Sequence, residues 1–252
     1  MSTTPTQETP LHGRVTLVTG GARRLGAAIA RRLHAAGASV AIHFRSSATE
    51  AATLVTELEA ARVGSAAAFA ADLLDVPALE RLVDAVTRRF GRLDVLVNNA
   101  SSFYATPLGS ITAAQFDDLI GTNLRAPLLL AQAAAPALRR SRGLILNMAD
   151  IHGQRPLRDH AVYSAAKAGL IMLTRSLARE LGPDVRVNAI APGPVLWAEA
   201  GMPEELRAEI VGKTALGRSG SPEDVAQAAY FFAAEAPYVT GQVLAVDGGR
   251  SL

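Results

Sequence analysis

The sequence predicts an α/β fold, a doubly wound parallel sheet of about seven strands with helices packed on both faces. Three observations lead to this prediction. Short runs rich in Val, Leu and Ile alternate with longer Ala-, Leu- and Arg-rich segments of helical periodicity. No linker-like stretch or repeat interrupts the alternation. The length of 252 residues allows one large domain or two small ones, and the unbroken pattern favours a single domain over residues 12–252.

The predicted strands are short apolar runs, as expected for strands that are buried on both faces. The run at 66–70 is the weakest of them, because alanine favours strands poorly. In chain order the predicted strands cover residues 15–18, 39–43, 66–70, 95–97, 144–147, 185–189 and 243–246.

The predicted helices fill the segments between these strands. Pro77 suits a helix start, because the first helical residue needs no N–H partner. Pro127 and Pro136 are candidate kinks or ends within the longest segment. In chain order the predicted helices cover residues 23–36, 48–61, 77–90, 113–140, 161–181, 204–211 and 222–234.

The composition excludes several classes of protein. Apolar residues make up 49% of the chain and charged residues 19%, which excludes a disordered chain. Cysteine is absent, so disulfides, thiolate metal sites and Cys nucleophiles are excluded as well. The five histidines show no zinc-binding spacing, and we expect no metal site.

The charge pattern argues against a nucleic-acid partner. The formal net charge is only +2, although the isoelectric point is about 9.3. All cationic side chains except Lys167 and Lys213 are arginine, which titrates at very high pH. These arginines are scattered along the chain, whereas nucleic-acid binding needs basic residues that cluster on one face.

The first residues, MSTTPTQETP, are polar and lack a basic segment followed by an apolar one. We therefore expect no secretory signal, and a disordered tail over residues 1–11. No apolar run reaches the roughly 18 residues that a membrane span requires. The expected location is the cytoplasm, without a membrane partner.

A glycine-containing turn, TGGARRLG at residues 19–26, follows the first predicted strand. Ligands of parallel α/β sheets bind at the carboxyl ends of strands, and a helix start there favours a pyrophosphate. Gly20 would form the tight turn, and Gly26 would allow close packing of helix and strand. The turn predicts a dinucleotide site, although a plain strand-to-helix turn is the alternative from this motif alone.

The end of the second strand indicates which dinucleotide fits. An NAD site would place Asp or Glu here for the ribose 2′-hydroxyl, but the sequence has Arg45 followed by Ser46. A guanidinium binds a 2′-phosphate with paired hydrogen bonds, so we predict NADP(H). The alternative is that Arg45 is a solvated loop cation. Asp72, after the third strand, suits the adenine edge.

Tyr163 and Lys167 lie one helical turn apart at the start of the fifth predicted helix. A nearby ammonium lowers the pKa of a phenol, so Tyr163 could donate a proton to a substrate that accepts a hydride. Asn123 could interrupt its helix and hold a water linked to Lys167. Asp150 follows the fifth strand and precedes Tyr163 by one short loop.

Over residues 12–250 the chain resembles the short-chain dehydrogenase/reductase family. The resemblance rests on the glycine turn, NNA at 98–100, Asn123, the YxxxK motif, Pro192–Gly193 and VDGG at 246–249, all in family order. It implies a Rossmann-type fold and a small-molecule substrate. The cofactor contacts that it implies are Gly20, Arg24, Leu25, His43, Arg45, Ser46, Asp72, Leu73, Asn99, Ala100, Ser101, Tyr163, Lys167, Pro192 and Gly193.

Three departures from the usual family pattern resemble the pteridine reductase subfamily. Arg24 replaces a glycine of the turn, Ser101 replaces the glycine of NNAG, and Asp150 replaces the catalytic serine. This resemblance implies NADPH-dependent reduction of a pterin or folate by a homotetramer, with a substrate loop at about 194–214. The substrate contacts that it implies are Arg24, Ser101, Phe103, Asp150, Tyr163 and Trp197.

The chemistry of a pterin suits these replacements. Its ring C=N bonds need a hydride at carbon and a proton at nitrogen, and a carboxylate at Asp150 can hydrogen-bond to Tyr163 and relay protons through water. Phe103 can stack on the flat ring, unless it only packs under a loop. Two other functions remain open: a 3-oxoacyl thioester reductase, and an NADP(H)-sensing protein without turnover.

Overall fold

The structure, a computed structural model, describes residues 9–195 and 201–252. Its centre is a parallel sheet of seven strands in the order β3-β2-β1-β4-β5-β6-β7, which confirms the predicted fold class. The strands are β1 (Val15–Val18), β2 (Ser39–Phe44), β3 (Ala66–Ala70), β4 (Val95–Asn98), β5 (Leu144–Met148), β6 (Arg186–Pro192) and β7 (Val243–Val246). The strand order reverses between β1 and β4, which opens a crevice at their carboxyl ends.

The helices lie between the strands in the chain order that the sequence predicts. They are α1 (Arg24–Ala35), α2 (Ala48–Ala61), α3 (Val76–Phe90), α4 (Ala113–Ile120), α5 (Ala126–Ser141), α6 (Ala161–Leu181), α7 (Glu204–Gly212) and α8 (Pro222–Tyr230). None of the helices formed by the described residues is long and apolar enough to cross a membrane.

The two largest apolar cores formed by the described residues hold helices against the sheet, one on each face. Adjacent residues of a strand point to opposite faces, so Val18 packs with Ile29 of α1 in one core. Leu17 packs with Leu82 of α3 and Leu130 of α5 in the other. The strands are therefore apolar on both faces, as their sequences predict.

The segment predicted as one helix over 113–140 differs from the expectation. A π-helical turn at Gly121–Arg125 separates α4 from α5, and it contains Asn123. Pro136 lies inside α5 without ending it. A single turn of π-helix inside an α-helix often marks a functional position.

Two expectations about loose segments also need correction or restriction. Leu11 is only 1% exposed, and its N–H donates to the Ala36 carbonyl at 2.9 Å, so the predicted tail over 1–11 extends too far. Trp197, and with it part of the expected substrate loop, lies outside the described residues. The described part of that loop includes helix α7.

Candidate active site

Gly20 and Gly26 of the turn after β1 lie too close to their neighbours to be replaced by larger residues. Gly20 has a φ of 57°, in the left-handed region that glycine adopts readily. A Cβ on Gly26 would lie 2.3 Å from the Gly20 carbonyl oxygen and 2.6 Å from Asn99 Nδ2. The start of α1 is therefore held against the turn at van der Waals contact, which is the geometry that a pyrophosphate site requires.

Residues at the end of β4 fix the other side of this turn. Asn99 Nδ2 donates to the carbonyl oxygens of Thr19 at 2.8 Å and of Gly20 at 3.1 Å. The Thr19 hydroxyl accepts from the backbone N–H groups of Asn99 at 2.8 Å and Ala100 at 3.0 Å. Sequence reasoning missed Thr19, although its place directly after a buried strand was a usable signal.

The ends of β2 and β3 present the polar residues predicted to bind the nucleotide. Arg45, Ser46 and Asp72 are exposed, while Leu73 is buried. Asp72 Oδ1 accepts from the N–H of Leu74 at 2.9 Å, which orients the carboxylate. No carboxylate follows β2 directly, so this edge of the crevice can accept an anion beside Arg45.

Arg24 and Leu25 form the first turn of α1, at the mouth of the crevice. Arg24 is exposed and has a φ of 52°, a left-handed conformation that is uncommon for a residue with a side chain. Leu25 is partly buried against the core of α1. The strained backbone at Arg24 fits the replacement of a family glycine at this position.

His43 lies at the end of β2 but is only 2% exposed. Its Nδ1 lies 3.1 Å from the Gly20 N, and its Nε2 lies 3.1 Å from the Ala71 carbonyl oxygen. Both ring nitrogens are thus engaged within the protein. The predicted cofactor contact of His43 therefore finds no free ring nitrogen in the described structure.

Asp150 and Tyr163 form the centre of the site. The Tyr163 hydroxyl donates to Asp150 Oδ2 at 2.7 Å, and Asp150 Oδ1 accepts from the N–H of His152 at 2.8 Å. Tyr163 is 4% exposed, whereas Asp150 is partly exposed. The carboxylate is held at both oxygens, so its orientation toward the phenol is fixed.

The electrostatics of Tyr163 differ from the expectation. Burial raises the pKa of the Tyr163 phenol above its ordinary value, and the Asp150 charge raises it further, while a hydrogen bond with Ser101 opposes this. The sequence suggested that Lys167 would lower this pKa. In the described structure the phenol stays protonated at neutral pH and can act as a proton donor.

Lys167 is buried next to the phenol, one turn along α6. Its Nζ donates to the Met148 carbonyl at 2.8 Å and lies 5.6 Å from the centre of the Tyr163 ring. Burial lowers the pKa of Lys167 to about 8, although the Asp150 charge acts in the opposite direction. Lys167 is thus a buried amine with a pKa of about 8, next to the Asp150–Tyr163 pair.

Asn123 uses its whole amide to tie the π-helical turn to the loop after β4. Its Nδ2 donates to the carbonyls of Leu119 and Ser102, each at 2.9 Å. Its Oδ1 accepts from Ser101 Oγ at 2.6 Å. Ser101 therefore stands between Asn123 and Tyr163, which connects the loop to the catalytic pair.

Phe103 forms an aromatic wall beside Tyr163. The Phe103 ring stacks on His160 with centroids 4.8 Å apart, and it meets the Tyr163 ring edge-on at 4.8 Å. Phe103 remains 55% exposed, so it still offers surface to a ligand. Sequence reasoning missed His160, because nothing in the chain pattern brings that residue to Phe103.

The Pro192–Gly193 segment lies at the end of β6. A Cβ on Gly193 would lie 2.5 Å from the Cβ of Asp247, so the absence of a side chain lets the segment pack on the VDGG motif. Pro192 is buried. The end of β6 is thus packed directly against the residues that follow β7.

Together, the fold and the site define a nucleotide-dependent oxidoreductase. The family profile described as enoyl-(acyl carrier protein) reductase matches residues 20–251. The chain belongs to the short-chain dehydrogenase/reductase family.

Relatives in this family carry different names at similar distance. The chain is 38% identical to pteridine reductase 1 of Leishmania tarentolae, over 100% of this chain and 99% of the relative. It is 37% identical to the 3-oxoacyl-(acyl-carrier-protein) reductase FabG of Staphylococcus aureus, over 92% of this chain and 96% of the relative. It also resembles, with a TM-score of 0.90 and 37% identity, the crystal structure of a blue fluorescent protein from a metagenomic library in complex with NADPH, covering 96% of this chain and 100% of that one.

Proposed function

We propose that this protein is an NADPH-dependent pterin reductase, which converts dihydropterins to tetrahydropterins and extends to oxidised pterins and dihydrofolate. The observation that carries the proposal is the 2.7 Å hydrogen bond from Tyr163 to Asp150. In a typical carbonyl reductase of the family a serine at this position binds the substrate oxygen. A carboxylate cannot donate a hydrogen bond to that oxygen, but it accepts from ring and amino N–H groups.

The crevice fits NADPH. Gly20 and Gly26 leave backbone where a side chain would fill the turn, and Arg45 with Ser46 suits a 2′-phosphate. The solved neighbour with a TM-score of 0.90 binds NADPH. The residues proposed to hold the cofactor are Gly20, Arg24, Leu25, Arg45, Ser46, Asp72, Leu73, Asn99, Ala100, Ser101, Tyr163, Lys167, Pro192 and Gly193. When bound, NADPH supplies the hydride.

Tyr163 delivers the proton to the substrate nitrogen. Its pKa is raised by burial and by the Asp150 charge, so it carries a proton to give. Asp150 is partly exposed and can take up a proton from solvent. Once Tyr163 has given its proton to the substrate, Asp150 can pass this proton to the phenolate along the hydrogen bond that joins the two side chains. Lys167 provides a buried cation for the cofactor ribose, and Asn123 fixes Ser101 beside the phenol.

The substrate is proposed to lie against the exposed surface of Phe103. A flat heteroaromatic ring gains from stacking there, whereas an acyl thioester has no face to stack. Arg24 and Ser101 are proposed to contact the pterin on either side. Trp197 is proposed as a further contact, although it lies outside the described residues.

The second candidate function is reduction of a 3-oxoacyl thioester. It is favoured by the 37% identity to FabG, which is close to the 38% identity to pteridine reductase 1. The two candidates make opposite predictions for Asp150→Ser. If the protein is a pterin reductase, this variant should lose activity because Asp150 serves protonation. If the protein is a ketone reductase, the variant should keep its activity or gain some.

The test is the loss of NADPH absorbance with a panel of biopterin, dihydrobiopterin, dihydromonapterin, dihydrofolate and an acetoacetyl thioester. We expect turnover with pterins or dihydrofolate and none with the thioester. Turnover of the thioester alone would show that Asp150 and Phe103 do not define a pterin site. Tight NADPH binding without turnover of any substrate would instead indicate a sensing protein.

We also propose that the protein acts in the cytoplasm as a homotetramer, as the family resemblance implies. Light scattering coupled to size-exclusion chromatography measures the assembly, and a monomer would contradict this part of the proposal. Cell fractionation tests the location.

A further inference from the structure

The hydrogen-bond partners of His43 determine its protonation state. The Gly20 N–H can only donate, so Nδ1 of His43, 3.1 Å away, must accept and carry no proton. The Ala71 carbonyl can only accept, so Nε2 at 3.1 Å must carry the proton. The backbone carbonyl of His43 also accepts from the Gly21 N–H at 2.9 Å. The side chain and the main chain of one residue therefore hold two consecutive N–H groups of the glycine turn.

The turn is held from the opposite side as well. Asn99, at the end of β4, donates to the Gly20 carbonyl oxygen at 3.1 Å. Because β1 lies between β2 and β4 in the sheet, residues from both neighbouring strands bond to Gly20: His43 to its N–H and Asn99 to its carbonyl oxygen. Of the two side-chain bonds to Gly20, from His43 and Asn99, only the one with His43 can be removed directly by a change in pH, because the imidazole titrates and the amide does not.

We propose that His43 is a positioning residue for the dinucleotide site: it does not contact the nucleotide, but as a neutral Nε2–H imidazole it keeps the glycine turn closed for the pyrophosphate, and its protonation opens the turn. The inference rests on the proposed NADPH site. A protonated ring would place an N–H against the Gly20 N–H, so the bond would be replaced by repulsion.

The position of His43 decides the direction of the pH effect. Burial lowers the pKa of His43 from its ordinary value of 6.5, and the Asp72 carboxylate at the end of β3 partly opposes this. Arg45 follows His43 by two residues in the chain, and Arg23, which follows Gly20 by three residues, pairs with Glu50 of α2 at 3.6 Å. The closed turn is therefore present at neutral pH and is lost as the pH falls from 6.5 through the lowered pKa of His43.

The experiment compares NADPH dissociation constants of the full chain, measured by calorimetry at about pH 8 and about pH 5.5. His43→Asn keeps an acceptor near the position of Nδ1 but cannot take up a proton, and His43→Phe keeps the ring without the acceptor. His34→Asn is the matched control, because His34 is also buried, but it bonds to Ser65 at the opposite end of the sheet.

In His43→Phe, the Gly20 N–H has no acceptor when the turn is closed, whereas it can donate to water when the turn is open. We expect NADPH binding at about pH 8 to weaken about tenfold, the effect of one hydrogen bond. His43→Asn should bind like the wild type at this pH but lose less affinity on acidification. The 2′-phosphate titrates equally in both, so the difference between the two profiles isolates His43. His34→Asn should follow the wild type throughout.

Equal affinity of His43→Phe and wild type would overturn the positioning role, and identical pH profiles of His43→Asn and wild type would overturn the protonation step. If the wild type does not bind NADPH, the proposed function fails, but the closed turn is still tested by exchange of the Gly20 amide hydrogen. That exchange should be faster in His43→Phe than in His43→Asn, and equal rates would contradict the inference.

Discussion

Asp150 and Tyr163 are joined by a hydrogen bond of 2.7 Å between a carboxylate and a buried phenol. The carboxylate cannot rotate away, because its second oxygen accepts from the His152 N–H at 2.8 Å. A proton on the phenol is therefore stabilised by an acceptor that also reaches solvent. This arrangement suits a proton-donating phenol that a partly exposed carboxylate can reprotonate, which a serine hydroxyl does less well.

Replacing Tyr163 by Phe should remove the proton donor and leave the pocket intact. We expect turnover of the best pterin to fall by about 10²- to 10⁴-fold, the usual contribution of general acid catalysis, with little change in NADPH affinity. Tyr104→Phe is the matched control, because the Tyr104 hydroxyl also donates to a carboxylate, that of Asp118 at 3.0 Å. Comparable losses in both variants would contradict the assignment of Tyr163.

Replacing Arg45 by Ala should weaken NADPH binding and leave NADH binding nearly unchanged. Hydrogen bonds to a charged group contribute about 1.5–3 kcal/mol, so the KM for NADPH should rise roughly 10- to 100-fold. Arg31→Ala removes a cation that pairs with Glu57 at 2.7 Å, and it serves as the control. An equal rise of KM for both cofactors would show that Arg45 does not bind the 2′-phosphate that distinguishes NADPH from NADH.

Lys167 should make the stability of the protein rise with pH at alkaline values. Burial lowers its pKa from 10.5 to about 8, so between these values the unfolded chain binds more protons than the folded one. The free energy of unfolding should increase by about 3 kcal/mol across this range relative to Lys167→Met. Below about pH 8 both states are protonated and the contribution stays constant.

Urea denaturation at several pH values measures this effect. Lys213, the other lysine of the chain, is exposed and pairs with Glu209, so Lys213→Met should not change the pH dependence. A wild-type profile parallel to that of Lys167→Met would show that Lys167 is not held in the folded state with a lowered pKa.

Gly26→Ala should disturb the nucleotide site by steric overlap. The new Cβ would lie 2.3 Å from the Gly20 carbonyl oxygen, and overpacking of this kind typically costs about 1–3 kcal/mol. Gly212→Ala is the control, because a Cβ there meets no atom within 4 Å and Gly212 ends helix α7. Thermal denaturation should show a lower melting temperature for Gly26→Ala only. The turn hypothesis would be wrong if that variant kept both its stability and its NADPH affinity.

Much of the fold could be predicted because its signals are local. The strand at 15–18 and the helices at 48–61 and 161–181 have the bounds that their apolar patterns predict. Asn123 was expected to interrupt its helix, and the π-helical turn at Gly121–Arg125 contains it, but the bond from its amide to the Ser102 carbonyl could not be predicted because Ser102 lies in a distant loop. Leu11 was misjudged for the same reason, since its partner is the Ala36 carbonyl.

The sequence by itself determined the alternation of strands and helices, the glycine turn, and the placing of Tyr163 and Lys167 one helical turn apart. These features depend on residues close together in the chain, where periodicity and backbone preference decide. Only the tertiary structure decided that the second oxygen of Asp150 accepts from the His152 N–H, that Phe103 lies against His160, and that both ring nitrogens of His43 bond within the protein. Such contacts join residues from separate loops and strands, and their distances follow from strand order and packing rather than from spacing in the sequence.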